Sequence, residues 1–380
     1  MWNLGRSAAA LLIVVSVMGL LLSLPCRTFA ASSGSSYGWE FENPLPEGNT
    51  LEGIWGTSSR DIFAVGDEGV ILHYDGNTWA RMNSGTTELL KSVWGSSSSD
   101  VFVVGGDEDS IILHYDGSSW TRMPVSIEGG LEAVWGVSSS DVFAVGWYGI
   151  LHYGGRTWSD MGEEGGEGCL SAVWGSSSSD VFAVGYEIWA GWGIMHYDGD
   201  IWMPADTAST GDLCDIWGST SSDVFAVGNA VERGEQLTGN IWHYDGRTWS
   251  FMTSDITDDL SGVWGTSSSN VFAVGYGGGI WHYDGQTWSP MNTDTMDNLS
   301  DIWGTSSSNI FAVGENGTVM RYTQQADQES SQEEDSAGGS GVSPWVWVGT
   351  AVGCVLLGCV LVYVLRRKKR APPAVRRWHA

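Results

Sequence analysis

Six histidines recur in one setting: His73, His114, His152, His196, His243 and His282 each open a His-Tyr-x-Gly-x-x-Trp run, and Arg321 stands where a seventh would be. Imidazoles at a fixed position ligate metals or exchange protons only if their rings converge. Four carboxylates lie near aromatic residues and would suit an acid–base pair: Glu163, Glu164 and Glu167 in one stretch, Glu187 in another. Trp147, Tyr148, Tyr186, Trp189 and Trp192 offer π faces of the kind that stack on sugars or hold cations. Cys169 and Cys214 lie between the two terminal apolar stretches and, outside the cytoplasm, are expected to close a disulfide. Asp107 with Asp109, and Asp255 with Asp258 and Asp259, are either calcium loops or simply solvated acids. HExxH, P-loop, GxSxG and CxxC arrangements are absent. No catalytic residue, metal ligand or cofactor is therefore assigned.

What must position these groups is a repeat. Trp-Gly pairs occur at Trp55, Trp94, Trp135, Trp174, Trp217, Trp264 and Trp303, spaced by 39, 41, 39, 43, 47 and 39 residues. A period near forty, with four short strand-like runs per copy, reads as an all-β, seven-bladed β-propeller. In the first copy the runs are 51–56, 62–66, 70–74 and 78–82. The Ser-rich step to Asp61 turns the first into the second, and Asp75-Gly76-Asn77 turns the third into the fourth. Trp55, Phe63 and Trp79 recur in nearly every copy and read as packing between blades. The histidines fall on the third strand, roughly 10 Å further from the axis than the first. Rings so far out on separate blades do not converge, so they are expected to be bonded within each blade.

The seventh copy stops after Tyr322 with no Thr-Trp run, while Tyr37-Gly38-Trp39-Glu40-Phe41 near the start has no partner runs before it. The N-terminal strand is therefore expected to complete the last blade and remove an open sheet edge.

These residues resemble the repeats of exported bacterial propellers, with a likeness to photosystem II stability/assembly-factor-like and to sialidase-type Asp-box repeats. Asp75-Gly76-Asn77-Thr78-Trp79 is similar to an Asp box shortened by one residue. Matching runs stand at Asp116, Asp198, Asp245 and Asp284, and Gly154 replaces the Asp in the third copy. The resemblance spans residues 37–323 and implies a fold rather than an activity. Arg60, Arg81, Arg122, Arg156 and Arg247 sit at turns and strands instead of forming the arginine cluster a sialidase needs, so that activity is not carried over.

The ends set the expected location. Residues 1–30 read as a signal peptide, with Arg6, an apolar stretch and Thr28-Phe29-Ala30 as a cleavage site. Residues 324–344 are rich in Gln, Glu, Ser and Gly and read as an acidic disordered stalk with a reach on the order of 25 Å. Residues 345–365 are 21 uncharged residues followed by Arg366-Arg367-Lys368-Lys369-Arg370. They read as one transmembrane helix, with 366–380 a basic cytoplasmic tail and the propeller outside the cytoplasm. Gly349 and Gly353 make a GxxxG spacing, a weak case for helix dimerisation. Net charge is −28, and only eight of the 17 basic residues lie between leader and tail, against 45 acidic ones. Such a surface repels phosphate backbones and excludes nucleic acid as a partner.

Variation between copies falls in the turns from second to third strand and in the connections between blades, which share one face of a propeller. That face is where function is expected. The leading reading is a membrane-anchored surface module binding a glycan or protein ligand around blades three to five. The rivals are a carbohydrate-active enzyme, which needs two carboxyls set about 5–5.5 or 6.5–9.5 Å apart, and an envelope assembly scaffold.

Overall fold

A computed structural model describes residues 37–42, 48–125, 127–161, 169–186, 193–205, 211–233 and 236–324. They form seven antiparallel four-stranded sheets within one compact unit. The signal peptide, stalk, apolar stretch 345–365 and basic tail read from the sequence lie outside the described residues. Among those described, no helix is long and apolar enough to cross a membrane.

Blade one shows how the repeat makes a sheet. Its strands are Leu51–Ser58, Asp61–Gly66, Val70–Tyr74 and Trp79–Met82, paired in sequence order. The second strand, Asp-Ile-Phe-Ala-Val-Gly, is buried from Ile62 to Gly66. A continuous apolar run is what a strand covered on both faces requires. The first strand runs two residues beyond the expected Gly56, because Ser58 pairs with Asp61 across a register shift after Gly56. The innermost strands of consecutive blades touch, and the first meets the last, so the seven close a ring.

The Trp-Gly pair is explained by that ring. A Cβ on Gly95 would lie 2.7 Å from the Trp55 ring, and the relation repeats at Gly136 with Trp94, Gly175 with Trp135, Gly218 with Trp174, Gly265 with Trp217 and Gly304 with Trp264. Gly56 receives Trp303 and completes the circle. Each indole thus lies on the glycine of the next blade, where a side chain would collide. Between each pair of blades a buried cluster forms around the second-strand phenylalanine; Phe63, for example, packs with Leu90, Val101 and Leu113 of blade two. Burying one such ring stabilises by about 1.5–3 kcal/mol.

The histidines are structural, as expected. The Nε2 of His73 bonds Asp61 at 2.7 Å, and the same contact joins His114 to Asp100, His152 to Asp141, His196 to Asp180, and His243 to Asp223. The hydroxyls of Thr57, Ser96, Ser176 and Ser219 donate to the other oxygen of the same aspartate. His282 faces Asn270 instead, and burial pushes its pKa down. One aspartate therefore ties the turn between first and second strands to the third strand. Asp100→Ala is expected to destabilise by about 1–3 kcal/mol, since it orphans both His114 and Ser96. Urea unfolding measures it.

The Asp-Gly turns also behave as read. The Oδ1 of Asp75 accepts the N–H groups of Asn77 and Thr78, both at 2.9 Å. These bonds hold its carboxyl below the usual range, and at Asp116 the Ser118 hydroxyl helps bring it to about 2. Gly76 takes φ 94°, which the turn demands. The N-terminal strand Tyr37–Phe41 pairs with the final strand Val319–Gln324, from Tyr37 opposite Gln324 to Phe41 opposite Met320. It completes the seventh sheet, and the final strand extends one residue past 323.

Candidate functional site

Within every blade the first-to-second and third-to-fourth turns lie at one end of the strands. The second-to-third turns and the inter-blade connections lie at the other. The first end is uniform. The second varies, from the tight Asp67–Gly69 turn of blade one to the hairpin of blade five, whose strands Asp223–Arg233 and Gln236–Tyr244 run on past the blade.

All seven inner strands shift register just after their repeated Leu, as at Leu51/Gly53 and Leu90/Ser92. The bulge frees the second position from the ladder at the variable end of the axis. There blades one to three place Glu52, Lys91 and Glu132. The Nζ of Lys91 lies 3.9 Å from a carboxylate oxygen of each. Burial lifts Glu52 above the usual carboxylate range against the pull of Lys91, and Asp67, Glu132 and Glu315 add to the rise.

The charge chain runs into an aromatic group. The indole N–H of Trp147 donates to Glu132 at 3.0 Å, and its ring meets Tyr186 edge-on at 5.8 Å and 85°. Tyr186 in turn contacts the Cys169 thiol, and burial pushes both to about 12. Trp147 and Tyr148 nevertheless stay 42% and 63% exposed. Two rings held in place yet open to solvent are what a binding surface needs, since ordering them in advance lowers the entropy cost of binding.

Lower on the axis, the third position carries Asp215 in blade five and Asp301 in blade seven. Asp215 accepts from the N–H groups of Ile216 at 2.8 Å and Val263 at 2.7 Å. Asp301 accepts from Ile302 at 2.7 Å and Ile54 at 2.9 Å. Each carboxylate thus joins its own blade to the next. Burial pushes Asp301 up to about 6, and raises Asp215 well above its ordinary value, with the Asp301 charge adding to it.

Trp147 and Tyr186 therefore come together beside Glu132, and Tyr148 lies over Gly129. Glu163, Glu164, Glu167, Glu187, Trp189 and Trp192 lie outside the described residues. The expected disulfide is not formed: Cys169 and Cys214 are free thiols. Cys169 donates to the Leu170 carbonyl and Cys214 to Asn229 Oδ1. Burial pushes the Cys214 thiol to about 12 as well, so neither is poised for exchange. Asp259 accepts the Ala230 N–H, and among the described residues no group of three or more His, Cys, Asp or Glu side chains is placed to hold a metal ion. Glu52, Lys91 and Glu132, with Asp215 and Asp301, are the groups that loop comparison misses. Their signal is variation at the second and third positions of an otherwise constant Leu-x-x-Ile/Val-Trp-Gly strand.

No family model matches the chain, and no curated protein matches it. Solved structures do. YCF48 from Cyanidioschyzon merolae is 18% identical with a TM-score of 0.59, over 75% of this chain and 98% of that one. YCF48 bound to D1 peptide is 18% identical with a TM-score of 0.61, over 80% and 100%. The GH74 enzyme of Niastella koreensis is 15% identical with a TM-score of 0.59, over 74% of this chain and 53% of that one. At these identities the likeness is one of fold, and it places the chain among β-propellers that include both a peptide-bound protein and an enzyme.

Proposed function

We propose that the protein is a membrane-anchored binding module that presents its propeller outside the cytoplasm and takes a peptide or glycan ligand on the variable face, beside the axial mouth of blades two to four. The observation that carries this is the pair Trp147 and Tyr148, both exposed, with Trp147 braced against Glu132 and Tyr186 and Tyr148 seated over Gly129. The peptide-bound propeller of like fold supports a peptide ligand on this architecture. Anchoring rests on residues 345–370, an apolar stretch with a basic end. Protease treatment of intact cells is expected to remove the propeller and leave the tail, while a chain ending at 344 is released to the medium. Retention of that shorter chain in the membrane fraction would contradict the anchor.

A second reading, a carbohydrate-active enzyme, draws on the Glu52 and Glu132 carboxyls. Both reach Lys91 Nζ at 3.9 Å, so they lie no more than twice that apart. That limit overlaps the roughly 6.5–9.5 Å of inverting glycosidases, and burial favours a protonated Glu52. An array of peptides and glycans, with product release followed in the same wells, separates the readings. Binding without products supports the module. Products that vanish in Glu52→Gln support the enzyme.

A further inference from the structure

We propose that the partner is an extended basic peptide segment whose Lys or Arg side chains sit between the Trp147 and Tyr148 rings and the carboxylates of Asp109, Glu128 and Glu132; this rests on the reading of the variable face as a binding face. Three independent features of blades two and three lead there. The first is a like-charge pair. Asp109 and Glu128 stand opposite one another in an isolated antiparallel bridge that links the second-to-third turn of blade two to the connection leading into blade three. Like charges directly opposed in a ladder are destabilising. Arg122 is near, but its Nη2 donates to the Ser110 carbonyl at 3.3 Å.

The second feature is the seat of Tyr148. A Cβ on Gly129, next to Glu128, would lie 2.6 Å from Tyr148 Cδ2. Gly129 itself takes φ 75° and is held by its N–H to the Glu108 carbonyl at 3.0 Å and by the Ser110 hydroxyl on its own carbonyl. The acidic bridge and the aromatic ring are thus one construction, with the ring fixed on a glycine yet mostly open to solvent. A cation over an aromatic face, with a carboxylate behind it, satisfies both parts.

The third feature is the charge of the whole face. In the turns and connections that make it, Arg233 is the sole Lys or Arg, and the one ammonium at the mouth, Lys91, already lies between Glu52 and Glu132. A basic segment is attracted along the face before any contact forms, which raises its association rate at low salt. An acidic or phosphate-bearing partner would be repelled.

The test uses the full-length protein in detergent and fluorescence anisotropy of four labelled probes: a Lys/Arg-rich peptide, its Glu-rich counterpart, a neutral Gly/Ser peptide and a neutral oligosaccharide. The basic peptide is expected to bind, with affinity falling as salt rises. Tyr148→Ala should weaken it about tenfold, and Asp109→Asn with Glu128→Gln should weaken it similarly. The latter pair should also raise the melting temperature or leave it unchanged, because repulsion is relieved, which shows that lost binding is not lost folding. Removing equal charge at Asp255→Asn with Asp258→Asn should change affinity by less than about twofold, since those loops lie on other blades. Basic-peptide binding that is indifferent to Tyr148, Asp109 and Glu128 overturns the inference. Neutral oligosaccharide or neutral peptide binding that Tyr148→Ala abolishes also overturns it, while the binding-face reading stands. Silence with every probe counts against both.

Discussion

Gly218→Ala is expected to destabilise the propeller by about 3 kcal/mol, a large loss for one methyl group. The added Cβ would lie 2.5 Å from Trp174 Cη2 and within 2.8 Å of two more atoms of the same ring. Trp174 cannot retreat freely, because it packs against the buried cluster of Phe182, Leu213 and Ile216 between blades four and five. The collision is with one side chain, so a second change isolates it. Trp174→Leu alone should destabilise by loss of packing. Combined with Gly218→Ala, it should cost clearly less than the two single changes added together. Additive effects in urea unfolding would mean that the Trp-Gly contact does not hold neighbouring blades.

Stability is expected to fall as pH rises from about 4 to above 6. Burial pushes Asp301 up to about 6 in the folded chain, above the ordinary aspartate range near 4, and Asp215 is also raised. Across that interval the folded state holds protons that the unfolded state has released, so raising the pH favours unfolding. The stability these groups contribute is present at the acidic end of the window and lost at its upper end. The two coupled carboxyls together account for a loss on the order of a few kcal/mol across it. Asp301→Asn removes one charge and the repulsion felt by Asp215, so the fall with pH should flatten. The amide can accept only one of the two N–H groups, Ile54 and Ile302, that the carboxylate serves. A pH-independent loss of about 1–3 kcal/mol is therefore expected as well, and the slope is the informative quantity. An unchanged slope from pH 4 to 8 would exclude the pair as its source.

The fold was legible because its cause repeats. Trp55 and Phe63 each do one job in every blade and Asp61 does its own in five, and seven copies of a spacing leave little freedom in topology. Even the closing strand could be read, since Tyr37–Phe41 and the truncated last copy complete each other. The site was legible only where it lay in variable loops. Trp147 and Tyr148 stood out against Asp67 and Glu68 of blade one. Lys91, Asp215 and Asp301 did not, because a bulge in the inner strand decides that their side chains serve the axis, and residue spacing does not report a bulge. The expected disulfide failed for a related reason. Cys169 opens its inner strand just before the repeated Leu170, whereas Cys214 follows the equivalent Leu213. Their separation in sequence gave no hint that the thiols find different acceptors.

Ligand uptake on the variable face at Trp147 and Tyr148 can be decided by a single comparison of variants. Full-length protein would be screened on an array of peptides and envelope glycans beside two double variants. Trp147→Ala with Tyr148→Ala strips the exposed rings of the variable face. Ile201→Ala with Met203→Ala removes exposed apolar groups at the opposite end of blade four, 56% and 42% exposed respectively. The first variant is expected to lose whatever the wild type binds, and the second to retain it. Loss in the second with retention in the first would place the ligand on the uniform face and contradict the account.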